Sequence, residues 1–237
     1  MKRKLCQLTL FLAANLVILL LFSTAMAGVI SNPTGKVNKG VFQVGAEVDI
    51  MTRDWKDEDD NTSEIKSNRY LVKGAYGIND QWDVFLKLGM GNMTCDENGA
   101  DFDGDSQLSF GIGGNGTVYT RNQLKVGAGL QIFSTKSEEE ENGATTELSG
   151  MEIEASCAAS YEGLGKFLPY GGFFLSKIEG KSEYSSGGTS TDTDLEEDGI
   201  IGLFIGGDYS FMPQMNIGAE VRLINETSFA LRFNYGF

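Results

Sequence analysis

Three observations predict an all-β chain, antiparallel and up-and-down, closed into a barrel of about ten strands. A period-2 alternation of apolar and polar residues recurs from residue 40 to the end, the pattern of strands with one greasy face. The connections between the alternating stretches are by turns short and long. After the first 27 residues, no apolar run approaches the ~20 that a spanning helix requires. If the chain enters a bilayer, it does so with strands.

The chain begins Met1-Lys2-Arg3-Lys4, runs apolar from Leu5 to Phe22, and continues through Ala25 and Ala27. A basic start, an apolar middle and small residues at alternate positions make up a secretory signal with cleavage after Ala27. An uncleaved anchor is the competing reading, but small residues at those two positions serve no anchoring purpose. Cys6 lies inside the apolar run, too early for lipidation. Residues 28–39 then form a short periplasmic lead, and 40–237 the barrel.

The expected lipid-facing residues follow in order. Strand one shows Phe42, Val44, Ala46, Val48 and Ile50; strand two Tyr70, Val72, Tyr76 and Ile78; strand three Trp82, Val84, Leu86, Leu88 and Met90. Strand four offers Leu108, Phe110, Ile112 and Val118, and strand five Leu124, Val126, Ala128, Leu130 and Ile132. Strand six has Met151, Ile153, Ala155, Cys157, Ala159 and Tyr161; strand seven Leu168, Tyr170, Phe174 and Ile178. Strand eight carries Ile201, Leu203, Ile205, Tyr209 and Phe211, and strand nine Met215, Ile217, Ala219, Val221 and Leu223. Eight strands result instead if the last hairpin or strand two is misplaced.

The tenth strand is the end of the chain. Phe229, Leu231, Phe233, Tyr235 and Phe237 share one face, and Ser228, Ala230, Arg232, Asn234 and Gly236 the other. The eleven residues 227–237 match the ~9–11 that a tilted strand needs to cross a bilayer. This terminal pattern resembles the C-terminal insertion signal of bacterial outer-membrane barrels. The whole stretch after residue 27 resembles the small OmpA/OmpX-type barrels of the outer membrane. The resemblance implies recognition by the barrel-assembly machinery after passage through the secretion translocon. It also implies contact with outer-membrane lipid and lipopolysaccharide, and a monomer.

Turns at Asn79-Asp80, Arg121-Asn122, 163–166 and 212–214 are short, while 52–64, 94–106, 135–147 and 181–198 are long and polar. Short periplasmic turns and long outer loops are the asymmetry of such barrels. Tyr76, Trp82, Tyr119, Tyr170, Tyr209, Phe211 and Phe237 gather near the short turns, as an interfacial girdle does.

Net charge is −14, and loss of the three basic residues of the signal takes it to −17. That balance argues against nucleic-acid partners. The inward faces are expected to hold Glu47, Asp49, Asp83, Glu152, Glu154, Glu179, Asp208 and Glu220 against Arg69, Lys73, Lys87, Lys125, Lys177, Arg222 and Arg232. Acids and bases so evenly matched most simply pair with one another, because unpaired buried charge is costly. A pore or proton path is the alternative, although selective channels usually carry a surplus of one sign.

Histidine is absent, and the small-barrel hydrolases and proteases that share this architecture rely on it for proton transfer. Glu152 and Glu154 on one strand face read as structural. Gly111-Ile-Gly113-Gly-Asn-Gly116 matches a dinucleotide fingerprint in spacing only, since no strand ends and no helix begins there. Cys95 and Cys157 are placed unsuitably for a disulfide. No cofactor is expected beyond weakly bound calcium. Asp101, Asp103 and Asp105 alternate around a glycine and offer hard oxygen ligands, although the closing glutamate of a full calcium loop is missing. The chain thus reads as a non-enzymatic barrel that presents acidic outer loops, with a small porin-like diffusion channel as the alternative.

Overall fold

Alternation along the chain is realised as a closed antiparallel ring. The computed structural model describes residues 30–35, 37–57, 61–97, 100–197 and 200–237; residues 1–27, expected to be a signal sequence, lie outside them. The strands are β1 (Phe42–Asp57), β2 (Thr62–Gly77), β3 (Trp82–Glu97), β4 (Ala100–Asp103), β5 (Asp105–Arg121) and β6 (Leu124–Glu141). They continue as β7 (Ala144–Tyr161), β8 (Phe167–Ser186), β9 (Thr189–Glu197), β10 (Ile201–Met212), β11 (Met215–Leu223) and β12 (Glu226–Gly236). β4 and β5 are one wall strand broken at Gly104, and β9 and β10 another, so ten strands form the ring. It closes where β12 pairs with β1, from Gln43 opposite Gly236 to Arg53 opposite Glu226. The expected ten strands and the expected order are both present.

The lipid-facing residues stand exposed as an apolar belt, for example Val84, Leu86, Leu88 and Met90 on β3 and Leu108, Phe110 and Ile112 on β5. Side chains at these alternate positions have no partner but the bilayer. Phe42, Tyr76, Trp82, Tyr119, Tyr161, Phe167, Tyr209 and Phe237 are exposed at the short-turn end, where amphipathic rings meet the membrane interface.

Two expectations are corrected, and a third is filled in. The first concerns the long polar stretches, whose described residues are nearly all strand and not loop; 58–60, 98–99 and 198 lie outside the described residues. β6, β7 and β8 run 18, 18 and 20 residues, about twice what a bilayer needs. Alternating Ser, Thr and Glu continue the period past the belt. The turns are then as tight as any: Asn142 and Gly143 (φ 52° and 80°) and Gly187 and Gly188 (φ 58° and 84°). Consecutive positive φ values are those of the type I′ hairpin, for which Asn-Gly and Gly-Gly are the favoured pairs.

The second correction is the face of β8. Tyr170, Phe174 and Ile178 point inward and are buried, while Phe173, Leu175, Lys177 and Glu179 point out. Apolar residues of both parities crowd this strand, so the period alone does not choose between faces. Pairing with β7 chooses: Ser156 stands opposite Phe174, Glu154 opposite Ser176 and Glu152 opposite Ile178, and paired residues share a face. Lys177 and Glu179 leave the lumen and pair with each other at 2.8 Å on the outer surface. Tyr170 leaves the girdle.

The third concerns the lead, residues 28–39. Ile30, Asn32, Thr34 and Val37 are all buried, because this segment enters the short-turn end of the barrel. Wall glycines make room for it. A Cβ on Gly129 would stand 2.7 Å from Ile30 Cγ2, and one on Gly127 2.5 Å from the Pro33 carbonyl oxygen.

The β11–β12 hairpin is short. Above its turn, β9 pairs directly with β1, with Trp55 opposite Glu197, Lys56 opposite Glu196 and Asp57 opposite Leu195. The barrel therefore has ten strands through the belt, and its outer extension is walled by eight, β1, β2, β3, β4, β6, β7, β8 and β9, of which the short β4 pairs with β3 alone.

Candidate functional site

Inward positions at every level of the ring carry charge, and the strands stack those charges into layers. Arg53 on β1 forms the outermost layer. It pairs with Glu152 at 3.1 Å, with Glu197 at 3.2 Å and with Glu226. Glu197 also accepts hydrogen bonds from Ser176, at 3.0 Å, and from Asn225.

Arg222 on β11 forms the next layer. Its guanidinium donates to both oxygens of Glu154, at 2.7 and 3.0 Å, and to Glu220 at 3.0 Å, and it lies 4.5 Å from the centre of the Phe174 ring. The planar guanidinium matches a carboxylate in this forked way. Phe174 thus has a lumen task that explains its inward turn. Arg232 on β12 lies 3.0 Å from Asp208, and its Nη2 donates to the Tyr170 hydroxyl at 2.5 Å. That hydroxyl donates in turn to Glu220 at 2.8 Å.

On the opposite wall, Lys87 is fully buried and lies 2.6 Å from Glu47. Arg69 stacks over Phe133 at 4.7 Å and Lys73 over Phe85 at 4.2 Å. Asp49, opposite Arg69 in the β1–β2 register, is fully buried, and neither carboxylate oxygen accepts a hydrogen bond among the described residues.

At the short-turn end the lead completes the filling. Asn32 donates to Asp208 at 2.9 Å, the Thr34 hydroxyl to Ser160 at 2.6 Å, and the Val37 amide to Asp83 at 3.0 Å. Lys125 sits at this rim, on the inward face but 2.5 Å from Glu162, so it stands apart from the buried network in which it was expected. At the other end Trp55, Ile65, Met93, Leu148 and Ile178 form an apolar cluster inside the extension.

The sequence reading thus placed Glu47, Asp49, Arg69, Lys73, Asp83, Lys87, Glu152, Glu154, Asp208, Glu220, Arg222 and Arg232 in the lumen, where they are found. It missed Arg53, Glu197 and Glu226, which fell in stretches read as connections, and Tyr170. Arg53 was legible: it continues the inward series Glu47, Asp49, Met51. Among the described lumen residues acids outnumber bases by more than expected: Glu197 and Glu226 enter and Glu179 leaves, while Arg53 enters, Lys177 leaves and Lys125 stays at the rim.

Outside the belt the surface is acidic. Glu138–Glu141, Asp192, Asp194 and Glu196 stand on the hairpins. Lys181 and Asp192 are 2.8 Å apart, and the hydrogen bond between them raises the lysine pKa and holds Asp192 below the usual carboxylate range. That contribution is present above the ordinary carboxylate pKa and is lost as pH falls through the lowered one. The pair is fully exposed and therefore counts for little. Asp103 and Asp105 flank Gly104 and are exposed; the side chain of Asp101 lies outside the described residues.

No protein-family model and no curated protein matches the chain. Solved structures do. The translocator domain of the autotransporter NalP from Neisseria meningitidis is similar over 88% of this chain and 91% of that one, at 12% identity and a TM-score of 0.53. The outer-membrane protease OmpT from Escherichia coli is similar over 86% of this chain and 100% of that one, at 11% identity and a TM-score of 0.51. The likeness is one of fold, and it joins the lipid belt, the aromatic girdle and the short-turn asymmetry. The chain has the fold of the small transmembrane β-barrels of the bacterial outer membrane.

Proposed function

We propose that this protein is a non-enzymatic barrel with a sealed lumen, a rigid anchor that holds acidic β-hairpins above the outer membrane. One observation carries the reading: the bore is blocked within the belt. Ion-paired side chains occupy it there, and the lead enters its periplasmic end, where a polar cavity of about 190 Å³ remains beside Asn32 and Arg232. Between Met51, Arg69, Phe133 and Glu152 the free space is about 10 Å³, on the order of a single water. The sequence supplies no histidine, and the carboxylates in the lumen are engaged mainly with arginines, which keeps them from acid–base work.

Proteoliposomes carrying the refolded protein should swell in arabinose no faster than empty vesicles. Swelling at porin-like rates would establish the diffusion channel instead. In the same reading, Phe229, Leu231, Phe233, Tyr235 and Phe237 present the assembly signal. Asp101, Asp103 and Asp105 bind calcium weakly and bridge it to lipopolysaccharide phosphates. Calorimetry should show heat at millimolar calcium, and a flat titration removes that part.

A further inference from the structure

The eight-stranded extension above the belt is hollow. Trp55, Ile65, Phe102, Leu148 and Leu195 line a cavity of about 310 Å³, with Ser63, Thr146, Ser182 and Thr193 adding hydroxyl groups. The geometry points to a binding chamber, open to ligands from outside the cell, for one small neutral molecule with an apolar body and a hydrogen-bond acceptor.

Size comes first. An eight-stranded barrel is just wide enough either to be filled by side chains or to hold one small ligand. Here the side chains leave space. Apolar cavities of ~150 Å³ already bind benzene, and at ~30 Å³ per water-sized group this one admits roughly ten heavy atoms. It also reaches the lower end of the range of known ligand pockets, ~300–1,000 Å³.

The second observation is Trp55. It is 3% exposed, and its indole N–H has no hydrogen-bond partner among the described residues, although Glu197 is its cross-strand neighbour. Its benzene ring lies on a slot made by two paired glycines: a Cβ on Gly150 would stand 2.9 Å from Cη2, and one on Gly180 2.7 Å from Cζ3. The indole therefore forms a fitted floor between the chamber and the Arg53 layer. Its N–H is itself sealed off from the chamber, so a ligand acceptor there meets the hydroxyl groups of Thr146 and Thr193.

Charge sets the last requirement. Asp57 lines the same cavity, and Asp192, Asp194 and Glu196 stand on the hairpin beside it. An anionic amphiphile is repelled at such an entrance, which leaves neutral carbonyl compounds such as medium-chain ketones and esters. The inference does not depend on whether the lumen below conducts.

Calorimetry on the full refolded protein in detergent tests it, with 2-nonanone (ten heavy atoms) and nonanoate as probes. Saturable one-site binding of 2-nonanone is expected, with nonanoate weaker. Thr146→Val and Thr193→Val together should weaken 2-nonanone binding by roughly tenfold, the equivalent of one hydrogen bond. Ser182→Phe, which fills the chamber from its rim, should abolish it, with retained heat-modifiable gel mobility reporting the intact barrel. The chamber is refuted if no saturable heat appears, or if Ser182→Phe binds like the parent, since the heat then reflects partition into detergent. Unchanged affinity in that double variant overturns the role of the hydroxyls, and equal affinity for nonanoate overturns the argument from charge.

Discussion

Arg222→Met should destabilise the barrel by about 3–5 kcal/mol, because it leaves buried carboxylates without their cation. Arg222 holds Glu154 through two hydrogen bonds and Glu220 through a third, and Glu226 lies 3.6 Å away. Methionine fills much of the space, so the loss isolates charge and not volume. Urea unfolding of the refolded protein, followed by gel mobility, measures it. Asp49→Asn provides the contrast. Asp49 is equally buried, yet its oxygens accept no hydrogen bond among the described residues, so removing its charge relieves desolvation and forfeits no hydrogen bond. Stability should stay level or rise. If both variants lose stability alike, the lumen is held by something other than the pairs described.

Emptying the same layer as a unit should have the opposite consequence, a stable barrel with an open bore. Glu154→Ala, Glu220→Ala and Arg222→Ala together remove two anions and their shared cation. Glu226 keeps Arg53, and Arg232 keeps Asp208. Removing a whole buried group of charges costs far less than breaking it. The lead still closes the periplasmic end through Asn32, Thr34 and Val37. The triple variant alone should therefore stay silent in planar bilayers. Beginning that chain at Lys39 should turn silence into steady conductance steps, while the same truncation without the triple change should not. A silent combined variant would mean that the bore is closed at another level.

The belt was legible because lipid leaves no freedom: alternate positions must be apolar, and a period of two reads directly from Trp82 to Met90 or from Phe229 to Phe237. Where that pressure ends, the period also became harder to read. Beyond the membrane the outward side chains are Ser, Thr and Glu, so polar composition reads as loop, although Asn142-Gly143 and Gly187-Gly188 mark the turns. In β8 apolar residues lie on both faces, because Tyr170 and Phe174 serve the lumen arginines. Only the pairing with β7 decides between them. The lead was opaque for another reason: a short segment of Asn, Pro, Thr and Gly has no period, and its burial depends on the wall glycines Gly127 and Gly129. Trp55 and Leu195 could not be joined from sequence, since β9 meets β1 only where the β11–β12 hairpin falls short.

A sealed bore is the claim on which the functional reading stands, and single-channel recording of the unaltered protein in planar bilayers tests it most directly. The filled lumen predicts insertion, confirmed by gel shift of the recovered protein, without steady conductance steps under applied voltage. Reproducible steps from the unaltered chain would contradict it.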